Sequence, residues 1–179
     1  VGKKIIHWQT YVSYSYDKGV TWSEPEQLVE GDETGGRGPV KNKSIYLSNG
    51  DILAPASIEE GPWRPFVDIS TDNGVTWEKS HLILPVDDEK TFMIQPTLWE
   101  VKPGEVSMLL RTNNNRIYRS DSKDWGRTWC EAYPINMPNN NSGIDVVKIQ
   151  DGRLVLVCNP TTGDCQIIPI VYNGISSPL

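Results

Sequence analysis

Phenylalanine is nearly missing from this chain: two Phe stand beside seven Trp and seven Tyr. Histidine is as scarce. His7 and His81 lie far apart and spell no metal centre. The three cysteines, Cys130, Cys158 and Cys165, are odd in number and fit no zinc spacing, so at most one pair can form and the plain reading is ordinary thiols. No stretch is apolar enough to span a membrane, and none shows a long 3.6-residue period. Basic residues are outnumbered, 17 against 23, for a net charge of −6, which argues against a nucleic-acid partner. An anionic ligand is not excluded, because a few converging cations can hold a carboxylate inside an acidic protein. There is no phosphate loop and no Ser-His-Asp order, so neither a cofactor nor a metal is implied. The chain opens at Val1 with no Met and no visible signal peptide. Both ends therefore read as cuts through a longer protein, leaving the compartment open, secreted and periplasmic both being compatible.

What is present is a β vocabulary. Short runs of aromatic and β-branched residues are broken by 15 Gly and 13 Pro, together with Asn and Asp. A repeat underlies them. Ser15-Tyr-Asp-Lys-Gly-Val-Thr-Trp22 returns as Ser70-Thr-Asp-Asn-Gly-Val-Thr-Trp77 and as Ser122-Lys-Asp-Trp-Gly-Arg-Thr-Trp129. Asp17 to Asp72 is 55 positions and Asp72 to Asp124 is 52, a fitting length for one four-stranded propeller blade. Asp17, Asp72 and Asp124 can each accept N–H groups of their own turn. Gly19, Gly74 and Gly126 supply a positive φ. The Thr is expected to start the next strand. Trp22, Trp77 and Trp129 are expected to lie in the core, each with one partner for its N–H.

Strands are predicted around these turns. Before the first turn comes 8–15, and after it 26–29. The next unit has 43–48, 52–58, 64–70 and 80–84. The one after has 93–101, 105–112, 116–120 and about 131–135, and a last unit opens with 144–149 and 153–158. The domain reading is one incomplete propeller over 1–179: the end of a blade at about 1–30, blades at 43–85 and 93–135, and the start of another at 144–179. So few blades cannot close a ring.

The motif S-x-D-x-G-x-T-W is the Asp box, and the chain resembles the sialidase (neuraminidase) superfamily, in its BNR-repeat, sialidase-like branch. Further segments share the resemblance: Gly36-Arg-Gly-Pro-Val-Lys-Asn-Lys43, Trp63-Arg-Pro-Phe-Val-Asp68, Gln95-Pro-Thr-Leu98 and Asn141-Ser-Gly-Ile-Asp145. It covers roughly residues 5–160; the tail after Gly163 fits poorly. The resemblance implies an all-β fold, part of a six-bladed β-propeller of four-stranded antiparallel blades. It also implies that the Asp boxes lie away from the active face and are structural. The implied activity is exo-acting glycoside hydrolysis of a terminal, acidic sugar. Two alternatives stand beside it: a carbohydrate-active enzyme of other specificity, and a non-catalytic glycan-binding propeller. In the family three arginines hold the sugar carboxylate, a tyrosine assisted by a glutamate attacks, and an aspartate is the acid/base. Tyrosine is a known exception to the paired-carboxylate rule.

On this resemblance Arg111, closing the strand Ser107-Met-Leu-Leu-Arg111, matches a triad arginine. Gln95, 16 residues earlier, stands where the family's glutamate is expected; an amide hydrogen-bonds but cannot act as a base. Asp68 is the candidate inward carboxylate. For substrate binding the candidates are the basic loop Arg37, Lys41 and Lys43, with Trp63 as a sugar-stacking ring and Asn141 and Asp145 on the same face. The expected partner is a glycan or glycoside.

Overall fold

The computed structural model describes residues 9–39, 41–163 and the backbone of 170–173. His7 and Cys165 lie outside these residues, as does most of the tail after Gly163. Every strand pairing within a sheet is antiparallel. Blade 1 is the pair β1 (Tyr11–Val12) and β2 (Glu26–Gln27). Blade 2 runs β3 (Ile45–Tyr46), β4 (Ile52–Ile58), β5 (Arg64–Ser70), β6 (Glu78–Lys79). Blade 3 runs β7 (Met93–Lys102), β8 (Glu105–Thr112), β9 (Arg116–Ser122), β10 (Tyr133–Pro138). Blade 4 has β11 (Asp145–Lys148), β12 (Leu154–Cys158) and β13 (Ile170–Asn173). Among the described residues no sheet closes on itself, and no helix is long and apolar enough to cross a membrane.

The central strands follow the sequence reading and the outer ones depart from it. The strand predicted at 80–84 is not one: β6 ends at Lys79. The edge continues only through single bonds, Ser80 N–H to the Val67 carbonyl (2.8 Å) and Ile83 N–H to that of Pro65 (2.9 Å). The strand expected at 131–135 begins at Tyr133 instead, and those expected at 8–15 and 26–29 shrink to two residues each. β13 has no counterpart in the sequence reading.

Blades stack face to face, which explains the unbroken apolar runs of their middle strands: six of the seven residues of β4 are buried, since a neighbour covers each face. Between blades 2 and 3 the core joins Leu53, Val67 and Ile69 to Met108, Leu110, Tyr118 and Trp129. Between blades 3 and 4 it joins Trp99, Leu109 and Ile117 to Ile144, Val146, Leu156 and Cys158. Each such side chain contributes about 1.5–3 kcal/mol by leaving water. Outer edges are stitched as well, Val86 N–H to the Ala132 carbonyl (2.9 Å) and Ala132 N–H to that of Leu84 (2.8 Å).

The three Asp boxes share one hydrogen-bond scheme. In the second, Asp72 Oδ1 accepts the N–H groups of Val75 (3.1 Å) and Thr76 (2.8 Å), while Oδ2 accepts the Thr76 hydroxyl (2.5 Å). Ser70 Oγ donates to Asp72 (2.8 Å) and accepts Gly74 N–H (2.7 Å). Asp17 and Asp124 repeat the pattern, with Gly19 and Gly126 donating to Ser15 and Ser122. The Thr therefore closes the turn rather than starting a strand. The expected positive φ is present at Gly19 (89°), Gly74 (89°) and Gly126 (82°).

The boxes differ in surroundings. Gly126 abuts Leu53 of blade 2, and Trp129 beside it is only 7 % exposed. Trp77 is half-buried. The first box is exposed from Tyr16 to Trp22, Gly19 included, and the space beside Gly19 holds only the edge of its own Trp22, at 3.9 Å. Trp22 itself is 64 % exposed. The expectation that all three tryptophans lie in the core holds fully only for Trp129, the one whose preceding blade has four described strands. For the box of Asp17, Gly19 and Trp22 it is corrected: that turn closes on its own hydrogen bonds and packs on no blade among the described residues.

The sockets facing these turns differ too. On blade 2, Ile45, Leu53 and Ile69 lie in one cross-strand row beside Val67, and Trp129 packs there. The equivalent row on blade 3 is Trp99, Ser107 and Asp121, beside Arg119. Its Asp121 accepts Arg119 Nη2 (2.8 Å), the Ser107 hydroxyl (2.5 Å) and the Tyr133 hydroxyl (2.7 Å).

Candidate functional site

Arg111 stands at the upper end of β8, opposite Ile94. Two residues of β7, Gln95 and Pro96, then face the single Leu110, so the ladder bulges. Gln95 takes a left-handed backbone (φ 54°) immediately before a proline, a position that ordinarily drives a residue to extended geometry. Such strain costs on the order of 1–3 kcal/mol and persists only where neighbours over-determine it. Here they come from blade 2. Ser57 Oγ accepts Gln95 N–H (2.9 Å), and Asn42 Nδ2 donates to the carbonyls of Gln95 and Pro96 (2.9 Å each). The bulge aims the Gln95 side chain at Arg111, whose Nη1 donates to Gln95 Oε1 (3.0 Å). Arg111 Nε donates to Asn141 Oδ1 (3.0 Å), and Asn141 is itself left-handed (φ 60°).

Lys41 joins this group from the loop ahead of β3, again in a left-handed conformation (φ 71°). Its stem lies over Gly143, where a Cβ would collide with Nζ and sit 3.0 Å from Cε. Burial pulls the Lys41 pKa down and the Arg111 charge pulls it further, with Asp145 opposing. Burial likewise depresses Arg111, opposed by the charge of Glu59. No carboxylate forms a salt bridge with Arg111 or Lys41 among the described residues. Four segments, around 41, 95, 111 and 141, thus place the half-buried Arg111 and the exposed Lys41 beside two neutral amides.

The remaining predicted residues fall into separate groups. Arg37 and Asp68 meet in the interface of blades 1 and 2. Nε and Nη2 of Arg37 donate to the Asp68 carboxylate at 2.7–3.0 Å, Gly38 N–H adds a bond, and Asp32 lies 3.4 Å from Nη1. Asp68 has no exposed surface. Lys43 and Asp145 pair at 2.8 Å, with Thr97 Oγ1 also donating to Asp145 (2.8 Å). Trp63 leans on Phe92, ring centroids 5.9 Å apart. Among the described residues no hydrogen bond or ion pair joins any of these groups to Arg111. A cavity of about 270 Å³ between the inner strands is lined by Lys43, Tyr46, Trp99, Glu100 and Lys148. It does not include Arg111, and its charges are engaged, Glu100 accepting Ser48 N–H and hydroxyl and Lys148 donating to the carbonyls of Glu100 and Val101.

Sequence reasoning did not find the clamp. Pro96 inside a strand was the available signal for a bulge; nothing in the sequence marked Ser57 as its anchor.

Antiparallel four-stranded blades, Asp-box turns at one end and a cationic cluster at the other define a sialidase-like propeller scaffold. The chain belongs to the BNR repeat-like domain family, whose sequence model matches residues 1–167. Among curated proteins none matches the sequence. Solved structures share the fold. A protein of unknown function from Dyadobacter fermentans is 22 % identical (TM-score 0.66) over 83 % of this chain and 43 % of its own. The NanB sialidase of Streptococcus pneumoniae, as its K499G mutant, is 19 % identical (TM-score 0.69) over 86 % and 24 %. The Hadza microbial sialidase Hz136 is 22 % identical (TM-score 0.65) over 86 % and 32 %. The chain thus spans less than half the length of each of these structures.

Proposed function

We propose that this chain carries part of the glycan-binding face of a sialidase-like, exo-acting glycoside hydrolase, and that Arg111 receives the acidic group of a terminal sugar. The observation that supports it is a half-buried guanidinium held by two amides and, among the described residues, by no carboxylate. Such a charge is fixed in direction yet left free to pair with a ligand. The likeness to sialidases supplies the sugar class. In this reading Lys41 and Asn141 line the same subsite, Lys43 and Asp145 neutralise one another beside it, and Trp63 forms a wall. Arg37 and Asp68 tie blades 1 and 2 together: with both carboxylate oxygens engaged, Asp68 orients Arg37 rather than exchanging protons with substrate.

The test is binding and turnover measured together. N-acetylneuraminic acid is expected to bind more tightly than galactose, and Arg111→Ala to abolish that preference while the chain stays folded. Equal affinity for the two sugars, or an unaltered preference in the variant, would refute the reading. Gln95 favours a second one, since an amide cannot activate a tyrosine hydroxyl: a carbohydrate-active protein of other specificity, or a glycan binder without turnover. Binding with no release from a fluorogenic sialoside would select it.

A further inference from the structure

Among the described residues one buried side-chain atom has no hydrogen-bond partner, Nδ2 of Asn139. Asn139 follows β10 and has no exposed surface. Burying an amide N–H without an acceptor is unfavourable, so an asparagine in such a place calls for a reason. Its other atoms supply one. Oδ1 accepts the Ser142 N–H (3.1 Å), and the backbone N–H donates to the Asn115 carbonyl (3.1 Å). The first bond folds 139–142 into a turn, of the kind that asparagine side chains make with backbone a few residues on. It also fixes the orientation of the amide, since a flipped amide would set donor against donor. The second bond ties the turn to the hairpin between β8 and β9. The turn is braced again by the Ser142 hydroxyl, which donates to Asn140 Oδ1, and by Asn140 Nδ2, which donates to the Gly163 carbonyl (3.2 Å).

Inside this turn sits Asn141, left-handed, its Oδ1 accepting Arg111 Nε (3.0 Å). The bonds thus run in a ring: from Arg111 to Asn141, from Ser142 beside it to Asn139, from Asn139 to Asn115, and back along the hairpin to Arg111. We propose that Asn139 is a positioning residue, which through Ser142 holds Asn141 against Arg111 and so sets the direction of the Arg111 guanidinium. This rests on the proposed function for what Arg111 receives, and adds to it a side chain with no surface for a ligand to touch. The unpaired Nδ2 follows from that role. The turn needs an acceptor of this length with no charge. Aspartate would bring the acceptor but bury a charge away from water, and leucine has the shape without the acceptor.

The experiment measures solvent exchange of the Arg111 Nε–H by NMR on the isotope-labelled chain without ligand, well below the melting temperature, which is read on the same samples. Asn141→Ala removes the acceptor of that N–H and is expected to speed its exchange by about tenfold, the scale of one hydrogen bond. Asn139→Leu is expected to speed it several-fold while the melting temperature stays within about 4 °C of wild type, because the lost bond and the lost orphan donor offset one another. Asn139→Asp is expected to do the reverse, keeping the slow exchange and lowering the melting temperature by more than about 4 °C through its buried charge. A side chain that served stability alone would move exchange and melting together. Wild-type exchange in Asn139→Leu or in Asn141→Ala, or fast exchange in Asn139→Asp, would overturn the inference. The reading of Arg111 as the sugar-acid receptor fails separately, if Arg111→Ala binds N-acetylneuraminic acid as wild type does, since the exchange is measured with no sugar present.

Discussion

The two ends of each blade solve opposite problems. At the Asp-box end the turn that the boxes share is matched within a few residues of itself: the side chains of Ser70, Asp72 and Thr76 and the N–H groups of Gly74, Val75 and Thr76 bond among themselves. At the entry end, Gln95 depends on Ser57 and Asn42, and Arg111 on Gln95 and Asn141. Both ends use left-handed backbones. In the boxes they fall at Lys18, Asn73 and Trp125, each followed by a left-handed glycine (Gly19, Gly74, Gly126); at the rim they fall at Lys41, Gln95, Asn115 and Asn141 with no such glycine after them. Local closure makes a turn that is the same wherever it is placed. Closure across the chain makes a site that exists only when the blades are assembled, which is where a protein can hold charge unpaired.

If stability resides at the box end and ligand affinity at the rim, variants should separate the two. Trp129→Ala is expected to have the largest effect, lowering stability by about 3–5 kcal/mol through loss of a buried aromatic, read as a shift in urea midpoint. Gly126→Ala should follow at about 2–4 kcal/mol, since its Cβ would stand 2.7 Å from Leu53 Cδ1 on a backbone with φ +82°. Gly74→Ala, with the same conformation but only Trp77 at 3.8 Å and Ile52 at 4.0 Å, should cost about 1 kcal/mol. Arg111→Ala should alter the urea midpoint by less than about 1 kcal/mol while removing anion binding. Acid should act on the boxes. Hydrogen bonds from Thr76, then Ser70, hold the Asp72 carboxyl at about 2 instead of 3.8, and Thr21 chiefly does the same for Asp17. A lowered folded-state value means that this stabilisation is present above about 4 and is lost as pH falls toward about 2. An acid-unfolding profile flat across that window would contradict it. Smallest of all, Trp22→Ala should stay within about 0.5 kcal/mol.

The same contrast explains what could be read in advance. The boxes were legible because their whole hydrogen-bond scheme spans eight consecutive residues. The middle strands, β4, β5, β8 and β9, were legible because burial on both faces writes continuous apolar runs. The outer strands were not: their edges continue through single bonds to the next strand, as from Ser80 and Ile83 to β5. At the rim Arg111, Gln95, Lys41 and Asn141 could each be suspected from the family likeness. That three of them share a left-handed backbone, and that Arg37 and Asp68 satisfy each other elsewhere, depends on contacts between segments 30 or more positions apart.

The unequal sockets of blades 2 and 3 bear on how such a chain avoids folding wrongly. Repeated units invite misassembly, because any box could in principle dock on any blade. Here the turns are interchangeable and the receiving surfaces are not. Trp129 fits among Leu53, Val67 and Ile69, whereas against blade 3 a tryptophan in the same place would have to displace Arg119 from Asp121, Ser107 and the face of Trp99. The two docking faces thus differ where the repeat does not, and a box turn suited to the apolar face of blade 2 would meet an ion pair on blade 3.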